Sequence, residues 1–115
     1  MGLRIANVSI DTNDLAASTA FWTAVTGYKV DAQDDAYTYL VDPEGAGPGL
    51  CVNVVPEKRE GKNRLHLDLV TDDLHAEAAR VEALGAKRLS RHGEGTSGWV
   101  VFGDNEGNQF CVCAT

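Results

Sequence analysis

An internal duplication constrains this chain more than any other feature. Asn7 and His66, Ser9 and Asp68, and Asp14 and Asp73 each stand 59 positions apart. Gly27 and Gly85, which end two helical stretches, are 58 apart. The loops Asp42-Pro43-Glu44-Gly45 and Asp104-Asn105-Glu106-Gly107 are 62 apart, and the fourth strands return to 58 when Asn53 is matched with Cys111. Each copy reads β-α-β-β-β. In a chain of 115 residues, a half this small cannot shelter its own sheet, so two copies are expected to pair around a pocket. The predicted organisation is a first module over 1–55, a charged linker over 56–62 and a second module over 63–115.

The second module opens on the clearest alternation in the chain. Leu65, Leu67 and Leu69 fall on one side of a strand, with His66 and Asp68 on the other. The leucine side can pack on a helix, and the polar side must face water or a cavity. Asp72-Asp73 ends the strand and caps a helix over 73–84, whose stripe is Leu74, Ala78, Val81 and Leu84. The first module matches it, with a strand over 3–11 and a helix over 15–26. In that helix Leu15, Ala16, Thr19, Trp22 and Val25 or Thr26 recur at helical spacing. Strands are predicted over 28–32, 36–41, 50–55, 86–90, 98–103 and 109–113, with a polar loop over 91–97.

Hydrophobic residues make up 43% and charged residues 23%, which suits a globular domain rather than a disordered one. The net charge of −7 repels phosphate backbones, so nucleic acid is not an expected partner. No apolar run is long enough to span a membrane, and Met1-Gly2-Leu3-Arg4 leads into a strand rather than a signal peptide. The expected location is the cytoplasm. The three cysteines, Cys51, Cys111 and Cys113, are odd in number and form no C-x-x-C, so a disulfide framework is not expected.

His66 and Asp68 form the strongest polar pair, two residues apart on one strand face. A pocket base tuned by a carboxylate would be built this way, and so would a metal ligand with a supporting acid. A solvated strand face paired with Arg64 is the duller account. Cys111 reads as a nucleophile only if His66 activates it, and otherwise as a small buried thiol. Trp99, Tyr37 and Tyr39 suit either a pocket lining or plain core. Arg91, His92 and Glu94 lie in a loop that could close over a cavity or simply be solvated. His75 is expected at the surface.

The motifs Asp14-Leu15-x-x-Ser18-x-x-Phe21-Trp22 with Gly27-Tyr28, and Lys62-Asn63-Arg64-Leu65-His66-Leu67-Asp68-Leu69, resemble the vicinal oxygen chelate superfamily. So do Gly98-Trp99-Val100-Val101 and Asp104-x-Glu106-Gly107-Asn108-x-Phe110-Cys111. This is the glyoxalase, bleomycin-resistance and dioxygenase group, and its glyoxalase-like bacterial branch in particular. The resemblance implies an α+β fold of two tandem β-α-β-β-β modules in a curved, cavity-enclosing mixed sheet, with helices outside. It implies a small-molecule ligand and a homodimer. It also implies a divalent metal held from the first and fourth strand of each module, at Asn7, Asn53, His66 and Cys111. Only His66 there is an ordinary strong ligand; two amides and one thiol fall short of the three strong ligands of a catalytic zinc site.

Two functions follow. One is a glyoxalase-like enzyme or binding domain, with metal-assisted lyase, isomerase or dioxygenase chemistry at His66, Asp68 and Cys111. Its ligand would be held by Ser9, Tyr39, Asn53, Trp99 and Arg91. The alternative is a metal-free protein that sequesters a hydrophobic or drug-like compound. A third, weaker reading is a homodimer whose cavity is filled by side chains.

Overall fold

A computed structural model describes Gly2 and residues 4–115. It contains β1 (Asn7–Thr12), α1 (Leu15–Thr26), β2 (Lys29–Gln33), β3 (Tyr37–Val41) and β4 (Gly49–Val54) in its first half. The second half holds β5 (Asp68–Thr71), α2 (Leu74–Ala83), β6 (Lys87–His92), β7 (Trp99–Gly103) and β8 (Gln109–Ala114). The chain divides into two compact units, Met1–Lys58 and Arg59–Thr115. The fold is therefore α+β, built from two tandem β-α-β-β-β modules.

Each unit has one four-stranded mixed sheet, ordered β1-β4-β3-β2 in the first and β5-β8-β7-β6 in the second. The helix crossover lets the first strand run parallel to the fourth, and the other pairings are antiparallel. In unit 1, α1 packs on β3 and β4. Its buried residues are Ser18, Phe21, Trp22 and Val25, set against Leu40, Leu50 and Val52. Phe21 and Trp22 meet edge to face at 5.2 Å. In unit 2, α2 packs on β8 through Leu74, Ala78 and Val81, above a core of Val100, Phe102, Phe110 and Val112. Asp14 and Asp73 cap the two helices by accepting from the N–H of Ala17 and Ala76.

The structure corrects several expectations. The buried stripe of α1 is shifted: Ala16 is exposed and Leu15 and Thr19 are only half-buried, while Ser18 and Phe21 go inside. Leu84 lies just past the end of α2 and is exposed, so it does not extend the stripe. The first strand starts at Asn7, and the Leu3 end of the expected strand lies outside the described residues. β6 runs on to His92, which therefore belongs to a strand and not to the following loop.

The largest correction concerns the alternating leucines. β5 begins only at Asp68, and Leu65 is 88% exposed. Asn63 explains the late start. Its side-chain oxygen accepts from the Gln109 N–H at 2.7 Å, and its amide nitrogen donates to the carbonyls of Gln109 and Leu65. A side chain thus occupies backbone groups of β8 that a ladder would have used. Pairing resumes where Leu67 accepts from the Cys111 N–H at 2.9 Å.

Candidate functional site

One face of the unit 2 sheet is committed to α2, and the strand alternation turns the other set of side chains the opposite way. Val100, Phe102, Phe110 and Val112 are buried, while Trp99, Val101, Gln109, Cys111 and Cys113 form the second face. Asp68 lies opposite Cys111 in the parallel β5–β8 ladder, and Val101 lies opposite Cys111 on the other side. These side chains, with Lys62, His66 and His92, line a recess of about 470 Å³.

His66 Nε2 lies 3.3 Å from Asp68 Oδ1. A ligand atom from each of His66, Asp68 and Cys111 lies within 4.8 Å of the other two. Around a tetrahedral zinc, bond lengths of about 2.0–2.3 Å put neighbouring donors roughly 3.3–3.8 Å apart. The His66–Asp68 separation already matches that spacing, and the Cys111 sulfur lies within 4.8 Å of both ligand atoms. Imidazole, carboxylate and sulfur fit a borderline divalent cation, three donors leaving a position open for a ligand.

Burial raises the Cys111 thiol above its ordinary pKa, and the Asp68 charge, the Cys113 thiol and a hydrogen bond to Asp68 add to that. Lys62 opposes them. Cys113 is raised for the same leading reasons, burial and then Asp68. A nucleophilic cysteine needs the reverse arrangement, with a cation or base lowering its pKa. Cys111 is thus a weak nucleophile as it stands, and a coordinated cation is what would deprotonate it.

The wall of the recess is a flat aromatic shelf. The His92 and Trp99 rings stack at 4.9 Å and 16°. The Ser90 hydroxyl fixes His92 at 2.9 Å from Nε2, and Trp99 is 43% exposed. The hairpin below it depends on Gly98. A Cβ there would stand 2.0 Å from the His92 carbonyl oxygen, at a φ of +89°.

The remaining expected residues bond within their own units. Arg91 donates to the carbonyls of His92 and Gly95, and it pins the β6–β7 turn instead of lining the recess. His75 meets the same Gly95 carbonyl at 2.7 Å. In unit 1, Asn7 donates to the Ser9 hydroxyl at 3.3 Å. Asn53 donates to the Cys51 carbonyl and accepts from the Cys51 thiol. Tyr39 lines a separate depression of about 660 Å³ in unit 1 with Arg4, Ile5, Val41 and Asp42. Lys62 belongs to the recess although the sequence set it in a linker, and Cys113 belongs to it although sequence reasoning assigned it no role at the site. For Cys113 the signal was parity, since it shares its strand face with Cys111.

The ladders also change the repeat alignment. Ser9 pairs with Cys51 in unit 1 as Asp68 pairs with Cys111 in unit 2. Tyr39 pairs with Cys51 as Val101 pairs with Cys111. The counterpart of Cys111 is therefore Cys51, and Asn53 corresponds to Cys113.

A family model, described as a glyoxalase-like domain, matches residues 7–113. The chain belongs to the glyoxalase-like domain family. That places it in the vicinal oxygen chelate superfamily, as its motifs implied. Solved structures share the fold of this glyoxalase-like chain at low identity. One is a glyoxalase/bleomycin resistance protein/dioxygenase family enzyme from Burkholderia phytofirmans PsJN. It has a TM-score of 0.81 and 19% identity over 97% of this chain and 98% of that one. Another is the fosfomycin resistance protein FosX from Listeria monocytogenes, as a mutant complexed with Mn(II) and 1S,2S-dihydroxypropylphosphonic acid. It has a TM-score of 0.80 and 14% identity over 98% and 90% of the two chains. FosX from Mesorhizobium loti matches with a TM-score of 0.79 and 15% identity over 100% and 94%. No functionally curated protein matches the sequence.

Proposed function

We propose that this glyoxalase-like chain binds a small molecule in the β5–β8 recess through a divalent cation held by His66, Asp68 and Cys111. The observation that carries the reading is the convergence of imidazole, carboxylate and thiol within 4.8 Å at the recess. A bound cation would polarise an oxygen donor of the ligand and fix its orientation. Lys62 supplies positive charge beside Asp68 and Cys111, and the Trp99–His92 shelf offers a flat surface to the rest of the ligand. Any lyase, isomerase or dioxygenase chemistry of the kind the family resemblance implies would run on this face.

The shelf supports a second reading, metal-free capture of an aromatic compound stacked on Trp99. We also propose a cytoplasmic homodimer. Three free cysteines support the reducing compartment. Leu65 at 88% and Val70 at 70% exposure, before and on an outer strand, support a partner surface.

Metal analysis of the purified chain after gel filtration tests the first reading. The expected result is about one divalent cation per chain, at least roughly tenfold weaker in His66→Ala, since one of three strong ligands is gone. Undiminished binding in His66→Ala would place the cation elsewhere. Quenching of Trp99 fluorescence by an aromatic compound in chelator-treated protein would favour the second reading.

A further inference from the structure

We infer that the recess takes an elongated organic anion, with an aromatic ring at one end and an acid group at the other, joined by a short linker. This rests on the reading of the recess as a small-molecule site and adds what that molecule is. The two ends differ because β7 and β8 lay different chemistry along one sheet face. Cys113 lies opposite Trp99, Cys111 opposite Val101, and Gln109 opposite Gly103. Trp99 also lies opposite His92, and the two rings stack. The Cys113 end is therefore a ring-sized shelf with Trp99 exposed. At the other end Gly103 adds no side chain. Asn63 bonds to both backbone groups of Gln109 there, so the chain brings Lys62 in at the Gln109 end.

No carboxylate among the described residues holds Lys62 in an ion pair. An ammonium left unpaired in the wall of a recess is a ready partner for an anionic group. Asp68 stands between the two ends, opposite Cys111, and His66 meets it at 3.3 Å. An acid group in the middle would face that like charge, so the anion is directed past it to Lys62. The spacing sets the length of the ligand. From the Cys113 level to the Gln109 level is four residues of strand, about 13 Å, which the long Lys62 side chain shortens from its own end. A ring carrying its acid directly would put the charge beside Asp68, whereas a short methylene linker carries it on to Lys62. The linker then crosses the cluster of His66, Asp68 and Cys111. A volume of about 470 Å³ suits a molecule of this size.

The test uses the whole chain, treated with chelator, and isothermal titration calorimetry with three probes. They are naphthylbutyrate, naphthoate, which lacks the linker, and naphthylbutyramide, which lacks the charge. Naphthylbutyrate is expected to bind at least roughly tenfold more tightly than either of the others, the effect of one charge-assisted contact. Lys62→Met should erase its advantage over the amide, and Lys62→Arg should keep it. Unchanged amide affinity in Lys62→Met shows that the variant folds. Trp99→Leu should weaken acid and amide alike, by at least roughly fivefold, and Trp99→Phe, which keeps a ring, should restore most of the loss. Acid and amide binding equally well, or an acid advantage that survives Lys62→Met, would overturn the inference and leave the recess as a ligand site. Naphthoate binding as tightly as naphthylbutyrate would overturn the length assigned to the ligand. If no probe binds to protein that still takes a divalent cation through His66, the inference falls and the cation reading stands. Loss of both would bring the two down together.

Discussion

Thr12 shows how far one hydroxyl can hold this fold together. It is buried at the end of β1, accepts from the Asp14 N–H at 2.9 Å and donates to the Asp14 carbonyl at 3.0 Å. It also meets the buried Ser18 hydroxyl at 2.7 Å. Strand end, helix cap and helix face are joined through one oxygen. Thr12→Val keeps the shape and removes the oxygen, so the Asp14 N–H and the buried Ser18 hydroxyl each lose one hydrogen bond. The expected loss is about 1–3 kcal/mol, seen as a lower urea midpoint with an unchanged slope. An unaltered midpoint would mean that water or relaxation satisfies those groups. At this same scale the candidate site was half legible. His66 and Asp68 announced themselves as polar residues two apart in an apolar strand, and Cys111 followed by strand position. Arg91 did not read correctly, because nothing in a sequence shows that its guanidinium will be taken by the carbonyls of its own turn.

The two loops that begin with aspartate show what is legible for an element. Asp42 accepts from the N–H of Glu44, Ala46 and Gly47, at 2.9, 3.1 and 3.0 Å. Asp104 accepts from Glu106 and Asn108, each at 2.8 Å. Aspartate followed by glycine at this spacing is turn chemistry, and the sequence states it directly. The helix caps were equally plain. The start of β5 was not, since the Asn63 side chain, just ahead of it, takes the ladder groups of Gln109, which lies 46 residues away in sequence. The Asp42 loop has a pH signature. The Glu44 N–H, with smaller help from Gly47 and Ala46, holds the Asp42 carboxyl below its ordinary value of 3.8. Its folded pKa is depressed, so its stabilisation is present above 3.8 and is lost as pH falls through the lower folded value. Asp42→Asn should therefore melt earlier than wild type at neutral pH, with the gap closing as pH drops below 3.8. A gap that is constant or widens in acid would show that the charge is not what orders the loop.

For the whole molecule, the repeat made the fold class readable, but it did not reveal which apolar residues would remain outside. Each sheet ends in outer strands, and β5 is one of them. Val70 on it is 70% exposed and Leu65 just before it is 88% exposed. Two large apolar side chains so placed are a liability for a solitary chain and a contact surface for a second copy. Charge works against that association, because two copies each carry −7. At low salt the repulsion reaches beyond the contact; at 0.1 M the screening length falls to about 10 Å. Association driven by apolar burial should then tighten as sodium chloride is raised, whereas association through ion pairs would loosen. Sedimentation velocity should show a species of twice the 12.3 kDa chain mass whose dissociation constant falls with added salt. Val70→Lys adds a positive charge to an acidic molecule and so eases the long-range repulsion, yet it removes apolar contact and should weaken the dimer by at least roughly tenfold, the effect of losing about 1.4 kcal/mol. A Val70→Lys protein that associates as well as wild type would assign the association to charge, and a chain that stays at 12.3 kDa throughout would leave Leu65 and Val70 without a second copy to cover them.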